Sequence, residues 1–379
     1  MIKPFKVEIS DKFLQNIYSK VKNYPWHEMP DDGGWAYGTN LNYMKEISKY
    51  WIEKFDWRKT EEKINKFQNF KSNIDGIDIH FIQEKGSGTN SKPILLSHGW
   101  PGSIVEFLHI IDQLAHPEKF GGKEEDAFDV VVPSLPGFGF SGRPSRPIGP
   151  RKMASIFNSL MTEVLGYKKY IAQGGDFGAT IATWLAYDFP KTCAAIHINI
   201  LIVRHPDGPQ TKEEKEWEER FEREQLMENG YRTQQATKPQ TLSYAMMDSP
   251  VGVAAWIIEK MRRWSDIKNG DIESVYSKDI LLSNIMVYLV TKTFNTASWI
   301  YYGRREEGGR SLPKEHLPLK VPTAVALFPK EYLEWAPRSY VERIYNIQQW
   351  TEMPKGGHFA ALEQPNLLVK DIRKFAKNL

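Results

Sequence analysis

Apolar and polar residues run along this chain in blocks whose period changes. Short unbroken apolar runs occur at Pro93-Ile94-Leu95-Leu96, Asp129-Val130-Val131-Val132-Pro133, Tyr170-Ile171-Ala172 and residues 321–328. Runs this short and free of alternation predict strands buried on both faces of a parallel sheet. Earlier strands are expected near Phe70 and Ile79. Helical spacing predicts helices over residues 11–21, 42–55, 179–186, 253–264, 280–294 and 365–375. Strands alternating with helices point to the α/β class. The alternation stops between about residues 204 and 318, where helical patterns follow one another. Within that stretch residues 213–221 carry charge all round, with only Trp217 and Phe221 one turn apart, and predict a solvated helix with a narrow apolar stripe.

One strand-to-helix junction carries chemistry. The run ending at Gln173 is followed by Gly174-Gly175-Asp176-Phe177-Gly178 and then by the Ala-rich run 179–186. Strand, glycine-flanked turn and helix are the setting of a nucleophile elbow. Here the central residue is an aspartate. A carboxylate in that place attacks an alkyl carbon and forms an ester. The bland alternative is that Asp176 caps a helix, as aspartates often do. Upstream, Ser97-His98-Gly99-Trp100-Pro101-Gly102-Ser103 closes the first core strand. An elbow hydrolase would take oxyanion-hole N–H groups from this loop and from the residue after the nucleophile, here Trp100 and Phe177. A plain strand–turn–helix with Pro101 at the helix start fits that segment equally well.

Downstream, the run 321–328 is followed by Pro329-Lys330-Glu331, and Gly356-Gly357-His358-Phe359 precedes the last amphipathic helix. The order nucleophile, acid, histidine is that of an α/β-hydrolase triad. In it Glu331 orients His358, which activates water against the ester. Glu334 is the competing acid, one helical turn further from the strand end.

At this point the chain resembles the epoxide hydrolases of the microsomal and juvenile-hormone type over essentially its full length. The residues that carry the resemblance are His98-Gly99-Trp100-Pro101-Gly102-Ser103, Gly174-Gly175-Asp176-Phe177-Gly178, Gly230-Tyr231, Asp248-Ser249-Pro250-Val251-Gly252 and Gly356-Gly357-His358-Phe359-Ala360. Trp35-Ala36-Tyr37-Gly38, Phe55-Asp56-Trp57-Arg58 and Ile74-Asp75-Gly76-Ile77-Asp78 add the N-terminal segment. The resemblance implies an α/β-hydrolase fold with a mostly parallel central sheet and flanking helices. Residues 1–90 would be an N-terminal extension wrapping the core, 91–203 and 319–379 the two halves of the core, and 204–318 a helical lid. It implies conversion of an epoxide and water to a vicinal diol through an aspartyl ester on Asp176. It also implies two lid tyrosines acting as acids toward the epoxide oxygen: Tyr231 and, by position, Tyr302, with Tyr301 as the alternative. His98, Pro101, Tyr301 and Phe359 are candidates for lining the substrate site. Phe177 departs from the family, which commonly has Trp there. The role is one for a backbone N–H, so the reaction should survive while the pocket wall changes.

Composition narrows the rest. A net charge of +3 over 379 residues, spread evenly, argues against a nucleic-acid partner. The single cysteine, Cys193, lies in an apolar stretch, so no internal disulfide forms and a reducing compartment is expected. No Cys/His cluster suggests a metal and no glycine-rich phosphate loop is present, so no cofactor is expected. The Gly-rich segment 135–142 is read as a mobile rim of the site. Mammalian microsomal relatives carry an N-terminal anchor. This chain begins Met1-Ile2-Lys3-Pro4-Phe5-Lys6, polar and charged, and a soluble cytoplasmic enzyme taking a lipophilic epoxide is expected. A homodimer is compatible with that reading. The rival activities are a haloalkane or haloacid dehalogenase using the same Asp176 and His358, and a hydrolase-fold receptor that binds without turnover.

Overall fold

The computed structural model describes residues 1–31 and 33–379. Its centre is one sheet of nine strands: β1 (Lys3–Phe5), β2 (Gln68–Ile74), β3 (Ile77–Glu84), β4 (Lys92–Ser97), β5 (Phe128–Pro133), β6 (Tyr170–Gly174), β7 (Cys193–Ile198), β8 (Pro322–Leu327) and β9 (Asn346–Glu352). Their spatial order is β1-β2-β3-β5-β4-β6-β7-β8-β9. From β5 to β9 every pairing is parallel, whereas β1, β2 and β3 join antiparallel. Ile94, Leu95, Leu96, Val130, Val131 and Val132 are fully buried. Their lack of alternation follows from helices covering both faces of the sheet.

The N-terminal segment contributes β1–β3 to the sheet and packs three helices, Asp11–Lys22, Leu41–Glu53 and Trp57–Asn65, beside it. Two polar clasps hold this segment together internally. Asn65 exchanges two hydrogen bonds of 2.8 Å with the backbone of Val7, and Glu61 accepts from the amide of Ile9 and the indole of Trp57.

Between β7 and β8 lie six helices, Lys212–Glu228, Gly230–Thr237, Pro239–Met246, Pro250–Trp264, Lys278–Thr291 and Phe294–Glu306. The chain leaves the core at Arg204 and returns at Ser311, where the two crossings pair. The Arg204 N–H donates to the Arg310 carbonyl at 2.9 Å. The helix expected to run to residue 294 stops at Thr291. Lys292 is left-handed (φ 56°), which ends one helix and lets the next start at Phe294. The first helix of the block is less solvated than its charge suggests. Trp217 and Phe221 are buried, and Glu214 is buried in an ion pair of 3.1 Å with Arg343 on the core.

The Gly-rich segment 135–142 is not a mobile rim. It is buried, Gly137 and Gly142 bond across it, and the Ser141 hydroxyl donates to the Ser134 carbonyl at 2.7 Å. Gly137 (φ 83°) passes under the Phe294–Glu306 helix, where a Cβ would meet the Thr296 carbonyl at 3.0 Å. Glycine here permits a tight approach rather than motion. Among the described residues no helix is long and apolar enough to cross a membrane.

The last helix, Pro365–Ala376, is pinned to β7 by a buried pair: His197 Nε2 lies 3.0 Å from Asp371 Oδ2. Burial alone would raise the Asp371 carboxyl, but His197, Thr351 and Gln349 together outweigh it and hold the group below the usual carboxylate range. A depressed folded-state pKa contributes stability above the ordinary carboxylate value, and that contribution is lost as pH falls through the depressed one. Asp371→Asn should lower the unfolding free energy by about 3 kcal/mol in urea titrations at neutral pH, because His197 stays buried without its anion. The same substitution should flatten the acid limb of stability against pH. An unchanged midpoint at pH 7 would show that the pair is inessential.

Candidate active site

At the end of β6 the chain turns through Gly174 and Gly175 into the Asp176–Asp188 helix. Asp176 sits at φ 47°, a left-handed conformation that costs a non-glycine residue about 1–2 kcal/mol. The neighbouring glycines make the turn feasible. A Cβ on Gly178 would fall 1.8 Å from the Ser97 carbonyl, and one on Gly174 would fall 2.2 Å from the Gly178 carbonyl carbon. A Cβ on Gly99 would strike Asp176 Oδ1 itself at 2.2 Å. The turn therefore presses its carboxylate against the β4 loop. Asp176 makes no capping bond to its own helix, so the cap reading of this residue does not hold.

The two carboxylate oxygens have different neighbours. Oδ1 accepts from the Trp100 amide at 2.9 Å, and Oδ2 lies 3.5 Å from His358 Nε2. Phe177, the second expected amide donor, stands in the first turn of the helix and makes no hydrogen bond to Asp176 in this resting arrangement. His358 Nδ1 donates to both oxygens of Glu331, at 3.0 and 2.9 Å. Asp176, His358 and Glu331 are all buried. Burial by itself would lower the imidazole pKa. The Glu331 and Asp176 carboxylates together outweigh it, and the pKa is pushed up to about 10. Glu334 points elsewhere: it pairs with Arg220 at 2.8 Å on a part-exposed surface.

The His358 loop is held from two sides. The His358 amide donates to the Trp264 carbonyl at 2.9 Å, and Glu363 accepts from the amides of Gly357, Phe359 and Asp266. Both attachments reach the end of the Pro250–Trp264 helix, so the helical block helps position the histidine. It holds the Trp100 loop as well. Asn284 donates to the Pro101 carbonyl at 2.8 Å, and the Tyr288 hydroxyl donates to the Gly102 carbonyl at 2.6 Å.

The candidates His98 and Pro101 are not among the residues lining the pocket over Asp176. His98 is buried with both ring nitrogens engaged by backbone, Nδ1 with the Gly99 carbonyl and Nε2 with the Leu135 amide. Burial pushes its pKa down to about 4, so it stays neutral and fastens the loop. Pro101 likewise turns its carbonyl to Asn284. Phe359 does line the small pocket over Asp176, along with Trp100, Glu106 and His358. Glu106 is a residue the sequence reading did not single out. Its carboxyl fills the space left by Gly102, where a Cβ would fall 1.5 Å from Oε1. Burial pushes its pKa up to about 8, against the pull of His358.

The tyrosines separate by helix geometry. Successive residues on an α-helix point about 100° apart, so Tyr301 and Tyr302 cannot share a direction. Tyr301 faces inward, with its ring 4.8 Å from Phe177, 5.7 Å from Trp100 and 5.8 Å from Tyr231. Its hydroxyl is buried without a hydrogen-bond partner. Tyr302 faces outward into a groove lined by Asp75, Pro144 and Arg146, with the Arg305 guanidinium 4.4 Å from its ring. The structure thus brings Tyr301, not Tyr302, to the side of Tyr231. Tyr231 stacks on Trp100 at 5.2 Å, and its hydroxyl lies 3.1 Å from that of Tyr332, a third phenol that the sequence reading passed over. Burial raises all three phenols, Tyr231 to about 12. Tyr332 is stacked on Trp264 at 4.2 Å and directly follows Glu331, the one sequence feature that could have drawn notice to it.

Residues 2–107 match the family model for the epoxide hydrolase N terminus, and residues 92–247 match that for the alpha/beta hydrolase fold. Epoxide hydrolase 1 of Sus scrofa is 37% identical over 402 residues, covering 99% of this chain and 88% of the relative. The crystal structure of juvenile hormone epoxide hydrolase from the silkworm Bombyx mori superposes with a TM-score of 0.90 at 31% identity, over 100% of this chain and 94% of that one. The Aspergillus niger epoxide hydrolase structure follows with a TM-score of 0.87 at 30% identity, over 100% and 96%. With that coverage and an α/β-hydrolase sheet ending in this carboxylate, the chain belongs to the epoxide hydrolase family.

Proposed function

We propose that Asp176 is the nucleophile of this epoxide hydrolase, His358 its base, Glu331 the acid that orients the base, and Tyr231 and Tyr301 the acids toward the oxirane. The observation that carries the reading is the divided carboxylate of Asp176, with Oδ1 held by the Trp100 amide and Oδ2 turned to a histidine backed by Glu331. In the first step Oδ2 attacks a ring carbon and the C–O bond breaks. The departing oxygen takes a proton from a phenol. The unpartnered Tyr301 hydroxyl and Tyr231 beside it are the donors, since two O–H groups on one developing alkoxide stabilise its charge. In the second step water adds to the Asp176 carbonyl carbon while His358 Nε2 takes its proton. The negative charge falls on Oδ1, where the Trp100 amide already points and the Phe177 amide can join it. Collapse passes the second water proton to the departing diol oxygen and restores the carboxylate beside the imidazolium, which is the resting state.

The high pKa of His358 fits this sequence. In the resting site the imidazole lies between two carboxylates and is protonated. Ester formation removes the charge of Asp176, so the imidazolium loses one of the anions that held its proton, gives that proton to the phenolate left by ring opening, and becomes a base only when there is an ester to cleave. The helices between β7 and β8 act as the lid that brings the tyrosines down and excludes water. Trp100, Phe177, Trp264 and Phe359 make the walls apolar, which suits a lipophilic epoxide.

Three outcomes are expected. Asp176→Ala should abolish diol formation, and His358→Gln should accumulate the alkyl-enzyme, detected as a mass increment on the Asp176 peptide with no diol release; steady turnover by either variant would remove that residue from its role. Tyr301→Phe should lower the rate of ester formation by roughly a hundredfold in stopped-flow tryptophan fluorescence, whereas Tyr302→Phe should leave it near wild type. The reverse pattern would return the assignment to Tyr302. Ester decay followed over pH should rise with an apparent pKa at least about one unit below that of His358 in the free enzyme, as loss of one neighbouring charge requires. Equal values would mean that Asp176 does not couple to the imidazole.

A further inference from the structure

Behind the tyrosines lies a group of arginines without anions. Arg204 and Arg310 stand where the chain leaves and re-enters the core, Arg232 follows Tyr231, and Arg304 lies one turn beyond Tyr301. None of the four forms an ion pair among the described residues, although this chain makes ion pairs freely elsewhere. Arg304 is only 8% exposed and makes no side-chain hydrogen bond. Its guanidinium rests 5.0 Å from the Phe177 ring and 5.6 Å from that of Tyr301, the two residues that flank Asp176 on the lid side. Arg204 lies 4.5 Å from the Phe221 ring and 5.0 Å from Trp217, and Arg310 lies 5.8 Å from Phe221. Arg204 bonds only the Ile202 and Val203 carbonyls, and its Nη2 has no partner. Arg232 reaches only Gln225, at 3.5 Å.

Aromatic faces compensate a buried guanidinium in part, but several uncompensated cations in one place repel each other and carry a desolvation cost. That repulsion is evident: burial, and then the other arginines, hold the Arg310 guanidinium well below its ordinary value, and burial lowers Arg204 and Arg304 as well. The charge of Glu218, on the first helix of the block, acts on Arg204, but the two form no ion pair. An arrangement of this kind is stable when a ligand supplies the missing charge. Guanidinium forks match an oxyanion, and the rings of Phe177, Trp217 and Phe221 suit the apolar chain that would carry it.

We propose that the Arg204, Arg232, Arg304 and Arg310 cluster binds the carboxylate of a lipophilic epoxy acid whose oxirane lies at Asp176. The cluster is a second anchoring point within the substrate site and defines the substrate class as anionic. The inference rests on Asp176 being the reacting carboxylate, and it is tested by binding as well as by turnover.

Octanoate and octanamide serve as probes of equal length, with inorganic phosphate as the free anion. Titration calorimetry on the wild-type protein should show octanoate binding at least about tenfold more tightly than octanamide, the gain expected from one charge-assisted contact. Octanoate should compete with styrene oxide. An epoxy fatty acid should exceed its methyl ester in kcat/KM by a similar factor, and Arg310→Met should erase both preferences. Equal binding of acid and amide by the wild type overturns the proposal whether or not the variant folds. Phosphate binding as tightly as octanoate would also overturn it, because the cluster would then hold a free anion. Epoxide turnover separates the two readings: no diol from either the epoxy fatty acid or styrene oxide, beside selective octanoate binding, would sink the catalytic assignment and leave the anion site standing.

Discussion

The structure depends on holding one buried carboxylate in a strained backbone position while keeping one of its oxygens free. Asp176 at φ 47° is unfavourable on its own, and an isolated buried anion is more so. Both costs are offset locally. Three glycines remove the atoms that would otherwise collide, the Trp100 amide bonds one oxygen, and a protonated His358 faces the other. The parallel sheet matters because it places these suppliers together. β4 delivers the Trp100 loop, β6 the turn, β8 the Glu331 loop and β9 the His358 loop, all at the carboxyl ends of their strands.

The helical block has two physical duties at this point. It carries Tyr231 and Tyr301, and it also fixes parts of the core site through Asn284, Tyr288 and the Trp264–Asp266 turn. Core and block are therefore not a finished catalyst with a loose cover. The histidine amide itself bonds the block, so a displacement of the Pro250–Trp264 helix would be felt at the base. The same boundary collects the arginines, because that is where the two chain crossings and the inward faces of the Gly230–Thr237 and Phe294–Glu306 helices meet.

Hydrogen-bonding demand separates structural from reactive groups. His98 is as buried as His358, yet it has both nitrogens engaged. His358 Nε2, the Tyr301 hydroxyl and the Trp100 indole are left without partners, all in one small region. Unpartnered atoms occur elsewhere in this interior, as at Trp51 Nε1 and His197 Nδ1; what sets these three apart is that they lie beside the Asp176 carboxylate, where a ligand can complete the bonding.

The sequence by itself determined the α/β class, the strand-to-helix junctions and the order Asp176, Glu331, His358. These are encoded locally: unbroken apolar runs need burial on both faces, and a turn as tight as 174–178 needs glycine where other backbone approaches. Glu331 could be preferred to Glu334 by its distance from the strand end alone. What the sequence left open required knowing which way a side chain points. Tyr301 and Tyr302 are neighbours of one type, and only the docking of the Phe294–Glu306 helix against Gly149 and Gly137 decides which faces the carboxylate. The Gly-rich segment 135–142 looked mobile because its composition permits motion, but the helix above it buries it. Glu106, Tyr332 and the arginine cluster had no local signal because their meaning comes from residues far away in the chain. Spacing can reveal periodicity and turn chemistry, but charge compensation and the facing of one helix residue over the next are settled only when distant segments pack.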